Sequence, residues 1–170
     1  MIMFVPIAEV EPQAVEQLLD RAFGTDRHSR TAYRIREGMP AVPDLSFAAI
    51  EDGALVGTIQ CWPILFDADE GRDVPLVMVG PVAVEPARQR DGIGHRLMDH
   101  ALEAARASGQ ADGLMLIGDP EYYGRFFGFT ADRTGAWRVP GPVERHRLLA
   151  VGDSVPGGGG MLGPLVTIPA

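Results

Sequence analysis

The strongest constraint on this chain's fold comes from residues 75–118. They run from an apolar stretch, "PLVMVGPVAV", through a glycine loop, "EPARQRDGIG", into "HRLMDHALEAARASG" and then a second apolar stretch, "DGLMLIGD". The first stretch has no polar face, so it reads as a strand buried on both sides. In the next segment Leu97, Met98, Ala101, Leu102 and Ala105 recur at helical spacing, and Gly109 supplies a stop. Strand, helix and strand joined in this way cross over right-handedly, which makes 75–84 and 113–118 parallel neighbours.

The remaining elements arrange themselves around that unit. "MIMFVPIAEVEP" is apolar, lacks a basic leader and soon turns acidic, so it reads as a first strand and not as a secretion signal. Val15, Leu18, Leu19, Ala22 and Phe23 mark a helix closed by Gly24. Polar, arginine-rich residues 25–44 are expected to form a short helix and a loop, a flexible lid over an acceptor site. Two apolar runs flank Glu51-Asp52-Gly53, the turn chemistry of an antiparallel hairpin. With 75–84 they make a three-strand meander. "PEYYGRFFGF" opens a helix on proline. "VERHRLLAV" suggests a closing strand, and "SVPGGGGMLGPLVTIPA" a glycine-rich loop before a last short strand. At 170 residues the chain is expected to be one domain spanning 1–170.

Charge and residue types exclude several classes of function. All 15 basic residues are arginine, so a lysine Schiff base and a lysine-bearing phosphate loop are both ruled out. The net charge of -8 disfavours nucleic acid and favours a cationic partner such as an amine. No apolar run approaches the roughly 20 residues of a membrane span, so a soluble, cytoplasmic protein is expected. Cys61 is the lone cysteine, and its flanks, Gln60 and Trp62-Pro63, would not activate it, so it reads as a small buried residue. His28, His100 and His146 lack metal-ligand spacing, so no metal is expected.

The glycines at 92 and 94 carry the functional signal. A glycine loop between a buried strand and a helix leaves the helix's first N–H groups free, at the positive end of its dipole, where phosphate binds. A side chain at Gly92 or Gly94 would hold an anion away from those groups. The competing explanation is that the glycines only permit a tight turn and close packing. A dinucleotide fingerprint fails, because its third glycine would fall at Leu97.

"Gln89-Arg90-Asp91-Gly92-Ile93-Gly94" fits Q/R-x-x-G-x-G/A, and "GDPEYYGRFFGF" resembles a Tyr-x-x-x-Gly-Phe segment one strand later, close to a bacterial "YYxRFGF" variant. On these two motifs the chain, over roughly residues 45–150, resembles the GNAT superfamily of N-acetyltransferases. The resemblance implies a mixed α/β, three-layer αβα fold, its mostly antiparallel central sheet splayed between two parallel strands. It implies acetyl-CoA as donor, with the backbone of Val82, Ala83 and Val84 on the pantetheine. The pyrophosphate would lie on residues 89–95: Gln89, Arg90, Asp91, Gly92, Ile93, Gly94 and His95, with Arg90 as side-chain cation. His95 reads either as a phosphate neighbour or as a surface residue.

The same resemblance implies a tyrosine that protonates the leaving thiolate. Counting from Asp119-Pro120 selects Tyr123, with Tyr122 second, whereas counting back from Gly128 lands on Gly124. The family's strand glutamate is missing from "LVMVGPVAV", and Glu85 just beyond it reads as a cap or a surface group. The implied reaction is direct acetyl transfer in a ternary complex to a primary amine of a small molecule or peptide. The implied acceptor pocket is built by residues 24–44 and a loop at 63–74. The alternative is a non-catalytic acetyl-CoA-binding regulatory module, and the sequence leaves a homodimer open.

Overall fold

The structure, a computed structural model, describes residues 1–166. Four α-helices and eight strands follow in the order β1 (Ile2–Pro6), α1 (Pro12–Phe23), α2 (Thr31–Ile35), β2 (Phe47–Glu51), β3 (Ala54–Ala68), β4 (Asp73–Val84), α3 (Ile93–Ala107), β5 (Leu114–Ile117), α4 (Pro120–Phe127), β6 (Trp137–Arg138), β7 (Leu148–Val151) and β8 (Gly160–Pro164). They form one mixed sheet in the order β1-β2-β3-β4-β5-β7, with β8 paired to β3 and β6 to β8. Strands β4 and β5 are parallel, as are β6 and β8; the pairs β1-β2, β2-β3, β3-β8 and β5-β7 are antiparallel. The expected hairpin turns at Asp52 (φ 51°) and Gly53 (φ 80°), two successive left-handed residues of the kind a two-residue hairpin loop requires.

The chain divides into two compact units. One holds Met1–His28, Ala41–Cys61 and Gly80–Gly109; the other holds Ser29–Pro40, Trp62–Val79 and the chain from Gln110 on. In the first unit the helices take opposite faces of the strands. Val15, Leu18 and Leu19 of α1 pack with Ala83 of β4 and Leu55 of β3. A Cβ built on Gly57 of β3 would meet Ile93 and Leu97 of α3, and Phe47 of β2 sits edge-on to His100 of α3 at 4.4 Å. The buried residues of α3 are those its periodicity marks, plus Ile93.

In the second unit β3 extends far beyond the hairpin. Ile64–Ala68 pair with Gly160–Pro164, the ring of Phe66 lies where a Cβ at Gly160 would stand, and Trp137 packs on Phe66 at 5.0 Å. This corrects the expected loop at 63–74. Residues 63–68 and 73–74 are strand, and only a tip at 69–72 remains. The tip is closed by Ala68 N–H to Arg72 O, and Arg138 grips Asp69 with two guanidinium nitrogens at 2.9 and 2.6 Å. Bonding to β8 makes strand the cheaper state for an acidic segment that sequence alone reads as a loop.

The burial expected of 75–84 holds only in part. Leu76, Met78, Val79 and Ala83 are buried, whereas Gly80, Pro81, Val82 and Val84 are half-buried. Val82 and Val84 face the start of α3 at Gly94, whose missing side chain leaves both valines partly uncovered. The expected lid is also tied down. In the first unit the buried Arg27 bonds Glu16 (2.7 Å) and Asp20 (3.0 Å). In the second, Thr31 Oγ1 donates to Pro142 O at 2.6 Å, and the Arg36 guanidinium lies 4.1 Å from the Tyr33 ring and 3.6 Å from the Trp62 ring.

Candidate active site

The loop after β4 is a short 3-10 turn, Pro86–Arg88, followed by Gly92 at φ 78°. Nothing lies within 4 Å of a Cβ built on Gly92, so its glycine is required by the left-handed backbone and not by crowding. Gly94 differs. It lies inside α3, and its Cβ would meet Val84 and Val82 at 3.5 and 3.6 Å, ordinary contacts. The expectation that a side chain at 94 would hold an anion away is therefore corrected: that side chain would point at β4.

The first intrahelical bond of α3 runs from Arg96 N–H to Gly92 O, and no side chain caps the helix. The amides of residues 93–95 precede that bond, so the helix cannot satisfy them internally, and the dipole adds partial positive charge there. Gln89, Arg90, Asp91 and Gly92 are exposed, Ile93 is buried, and Gly94 and His95 are half-buried. His95 Nε2 lies 3.5 Å from Asp99 Oδ2.

Two braces of this loop escape sequence reasoning. Arg88 binds both Asp91 within the loop and Glu51 at the end of β2, and the Asp91 N–H donates to Arg88 O at 3.1 Å. Arg88 is thus engaged on both sides, while Arg90 of the same loop is exposed. The i,i+3 spacing of Arg88 and Asp91 was a local signal; the pairing of Arg88 with Glu51 was not. Glu85 accepts a forked bond from Arg21 of α1, with Nη2–Oε2 at 2.8 Å, so it joins β4 to α1.

The pairing of β4 with β5 consists of Val77↔Leu114 and Met78↔Met115 among the described residues. Val82, Ala83 and Val84 lie beyond the last of these pairs in sequence.

On the second unit, Asp119 caps α4 by accepting from Glu121 N–H at 3.1 Å, and Pro120 takes the first helical position. The helix start therefore agrees with the anchor at Pro120. Its far end closes at Gly128 (φ 78°), where Phe129 N–H reaches back to Tyr123 O at 3.2 Å. The Tyr123 ring lies against Gly118, so close that a Cβ there would fall 2.5 Å from its Cε2. Burial pushes the Tyr123 hydroxyl above the ordinary tyrosine range; Tyr122 adds a smaller push in the same direction, and Arg147 a smaller one against it. Tyr122 stands edge-on to Tyr123 at 5.0 Å and packs on Phe126 and Phe127. Arg125 is exposed and lies 5.2 Å from the Phe126 ring.

Cys61 is buried, with its thiol pushed up to about 12 by desolvation, which excludes it as a nucleophile at neutral pH. Among the described residues no group of three or more histidine, cysteine or acidic side chains is placed to hold a metal.

Residues 13–129 match the acetyltransferase (GNAT) family. The chain belongs to the GNAT family. It is an acyltransferase of the N-acetyltransferase class, and its GNAT fold puts the signature loop at the start of α3. Similar chains include the uncharacterized N-acetyltransferase YhbS of Escherichia coli K12, 27% identical over 144 residues covering 82% of this chain and 83% of the relative. A second is the uncharacterized N-acetyltransferase YjhQ of the same organism, 30% identical over 135 residues, 78% and 73% of the two chains. Among solved structures, a GNAT acetyltransferase from Brucella melitensis in complex with acetyl-CoA is 33% identical, covers 76% of this chain and 83% of its own, and superposes with a TM-score of 0.58. YhbS in complex with CoA is 25% identical, with 88% and 79% coverage and a TM-score of 0.65.

Proposed function

We propose that this chain is a single cytoplasmic domain, residues 1–170, that transfers the acetyl group of acetyl-CoA directly to a primary amine of a small molecule or peptide in a ternary complex. The observation that carries the reading is the β4–α3 junction. A left-handed Gly92 turns the chain so that the amides of residues 93–95 stand ahead of the first helical bond, in a loop braced by Arg88. Family membership and the acetyl-CoA and CoA bound by the two similar structures support that donor. The pyrophosphate rests on the loop of residues 89–95, against the amides at the start of α3, with Arg90 beside it. Val82, Ala83 and Val84 offer backbone groups to the pantetheine.

The amine nitrogen attacks the thioester carbonyl. A C–N bond forms, the C–S bond breaks, the nitrogen gives its surplus proton to water, the thiolate takes one from Tyr123, and solvent returns a proton to the phenolate. A phenol held above its usual range remains protonated at neutral pH, as a proton donor must. The net charge of -8 favours a cationic acceptor over nucleic acid. The test is release of free CoA thiol from acetyl-CoA in the presence of a panel of primary amines. Binding of acetyl-CoA without thiol release on any of them would instead support a regulatory module.

A further inference from the structure

The basic run Arg145-His146-Arg147 forms a 3-10 turn that leads into β7. Its three side chains are used differently. Arg145 is held by the backbone, its Nη1 donating to Trp137 O at 2.7 Å and to Gly135 O at 3.0 Å. His146 Nε2 lies 3.5 Å from Glu144 Oε2. Arg147 is exposed, and its guanidinium makes no hydrogen bond or ion pair among the described residues.

Backbone pairing fixes where that cation stands. Gly118 N–H donates to Arg147 O at 2.9 Å and Ile117 pairs with Leu148, so Arg147 lies across from the residue against which the Tyr123 ring packs. All of these residues belong to the second unit. The Tyr123 hydroxyl makes no hydrogen bond among the described residues. Three ionisable groups act on it through space: Tyr122 and Asp119 of α4 disfavour its anion, and Arg147 favours it. Tyr122 acts only as a phenolate, which an unperturbed tyrosine becomes near about pH 10. Neutral pH leaves one carboxylate and one cation, and the cation has the larger effect.

We infer that Arg147 is the cation that offsets the phenolate left on Tyr123 when its proton passes to the leaving thiolate, an inference that rests on the N-acetyltransferase reading above. As the C–S bond breaks, the sulfur takes the proton from Tyr123 Oη. A full negative charge then appears on an oxygen that burial otherwise keeps neutral. A guanidinium stays protonated throughout, so it stabilises that charge without competing for the proton. The charge disappears when solvent returns a proton to the phenolate. Arg147 acts only through Tyr123: it makes the phenol a stronger acid than burial alone allows, and a donor works best when its pKa approaches the working pH.

The test uses Arg147→Gln and Arg147→Lys in the full chain, each also combined with Tyr123→Phe. Ionisation of Tyr123 is read as the near-ultraviolet tyrosinate absorbance that Tyr123→Phe removes, the other tyrosines being Tyr33 and Tyr122. In Arg147→Gln the Tyr123 titration should move to higher pH. Its kcat on the best primary amine of the panel should fall about threefold to tenfold, the scale of one partly screened charge pair. Arg147→Lys should keep both near the parent values. Melting temperature and the acetyl-CoA dissociation constant should not change, because the exposed guanidinium holds no other described side chain. On the Tyr123→Phe background, Arg147→Gln should cost nothing further. An unmoved tyrosine titration, or the same loss of kcat with and without the Tyr123 hydroxyl, would overturn the role of Arg147 and leave the acetyltransferase reading standing. If the unaltered protein binds acetyl-CoA but releases no thiol with any amine, it is the acetyltransferase reading that fails, and the role of Arg147 falls with it.

Discussion

The left-handed turn at Gly92 can be tested by a series of substitutions whose order the structure fixes. The residue has φ 78° and nothing within 4 Å of an added Cβ, so backbone strain is the only penalty a side chain meets in the free protein. For an ordinary L-residue that strain is about 1–2 kcal/mol; it is smaller for asparagine, which visits this region readily, and larger for a β-branched residue. In a chain of this size 1 kcal/mol moves the melting temperature by roughly 2–4 °C. Gly92→Ala should therefore melt about 2–8 °C lower, Gly92→Asn less than that, and Gly92→Val more. The second measurement is the stabilisation by acetyl-CoA. At a hundred times its dissociation constant a ligand adds about 2.7 kcal/mol, or roughly 5–11 °C here. Gly92→Asn should fold nearly normally yet lose most of that gain, because its side chain stands in the open space before the amides of α3. Differential scanning fluorimetry with and without acetyl-CoA measures both. Equal losses for Asn, Ala and Val would refute the strain argument, and a full acetyl-CoA shift in Gly92→Asn would refute the loop as the pyrophosphate seat. Gly94→Ala is the control, expected to melt at or above the parent temperature because its Cβ makes only ordinary contacts and the helix gains propensity.

Tyr123→Phe keeps the ring over Gly118 and removes the proton, so steady-state kinetics should show turnover lowered about 10²-fold or more with acetyl-CoA binding unchanged. Tyr122→Phe should do much less; the reverse pattern would move the acid to Tyr122. Gly118→Ala drives a methyl into the Tyr123 ring, and a loss of about 1–3 kcal/mol in denaturant melts is expected. With no carboxylate from Leu76 to Val84 of β4, log kcat/KM should climb with pH up to the acceptor's own pKa and not fall below pH 10, since Tyr123 titrates above its usual range. An acidic-side inflection shared by two amines of different basicity would expose an enzyme base. Cys61 should resist thiol reagents in the folded protein at neutral pH. Its thiol is raised on folding from 9.0 to about 12, so it lends stability fully below pH 9 that is lost as the pH climbs to 12, up to about 4 kcal/mol. Denaturant midpoints that stay level from pH 9 to pH 12 would contradict that burial.

How far the sequence reached depends on the range of the forces involved. Local patterns specify the elements: α1, α3 and α4 begin and end near their Pro and Gly signals, and Asp52-Gly53 makes the hairpin, because propensity, capping and left-handed turns act within a few residues. The signature loop and the Tyr122-Tyr123 pair were legible for the same reason. What the sequence could not specify is who meets whom across the chain. Ile64–Ala68 became strand only because β8 pairs with them from nearly a hundred residues away. Arg88 looked like one more loop arginine until Glu51 fixed it, and Glu85 like a surface acid until Arg21 took it. Thr58 and Gln60 are ordinary strand residues in one dimension; only the tertiary packing shows that Thr58 Oγ1 and Gln60 Oε1 are buried without a hydrogen-bond partner among the described residues. Hydrogen-bond satisfaction is a property of the surroundings, and tertiary contacts alone decide it.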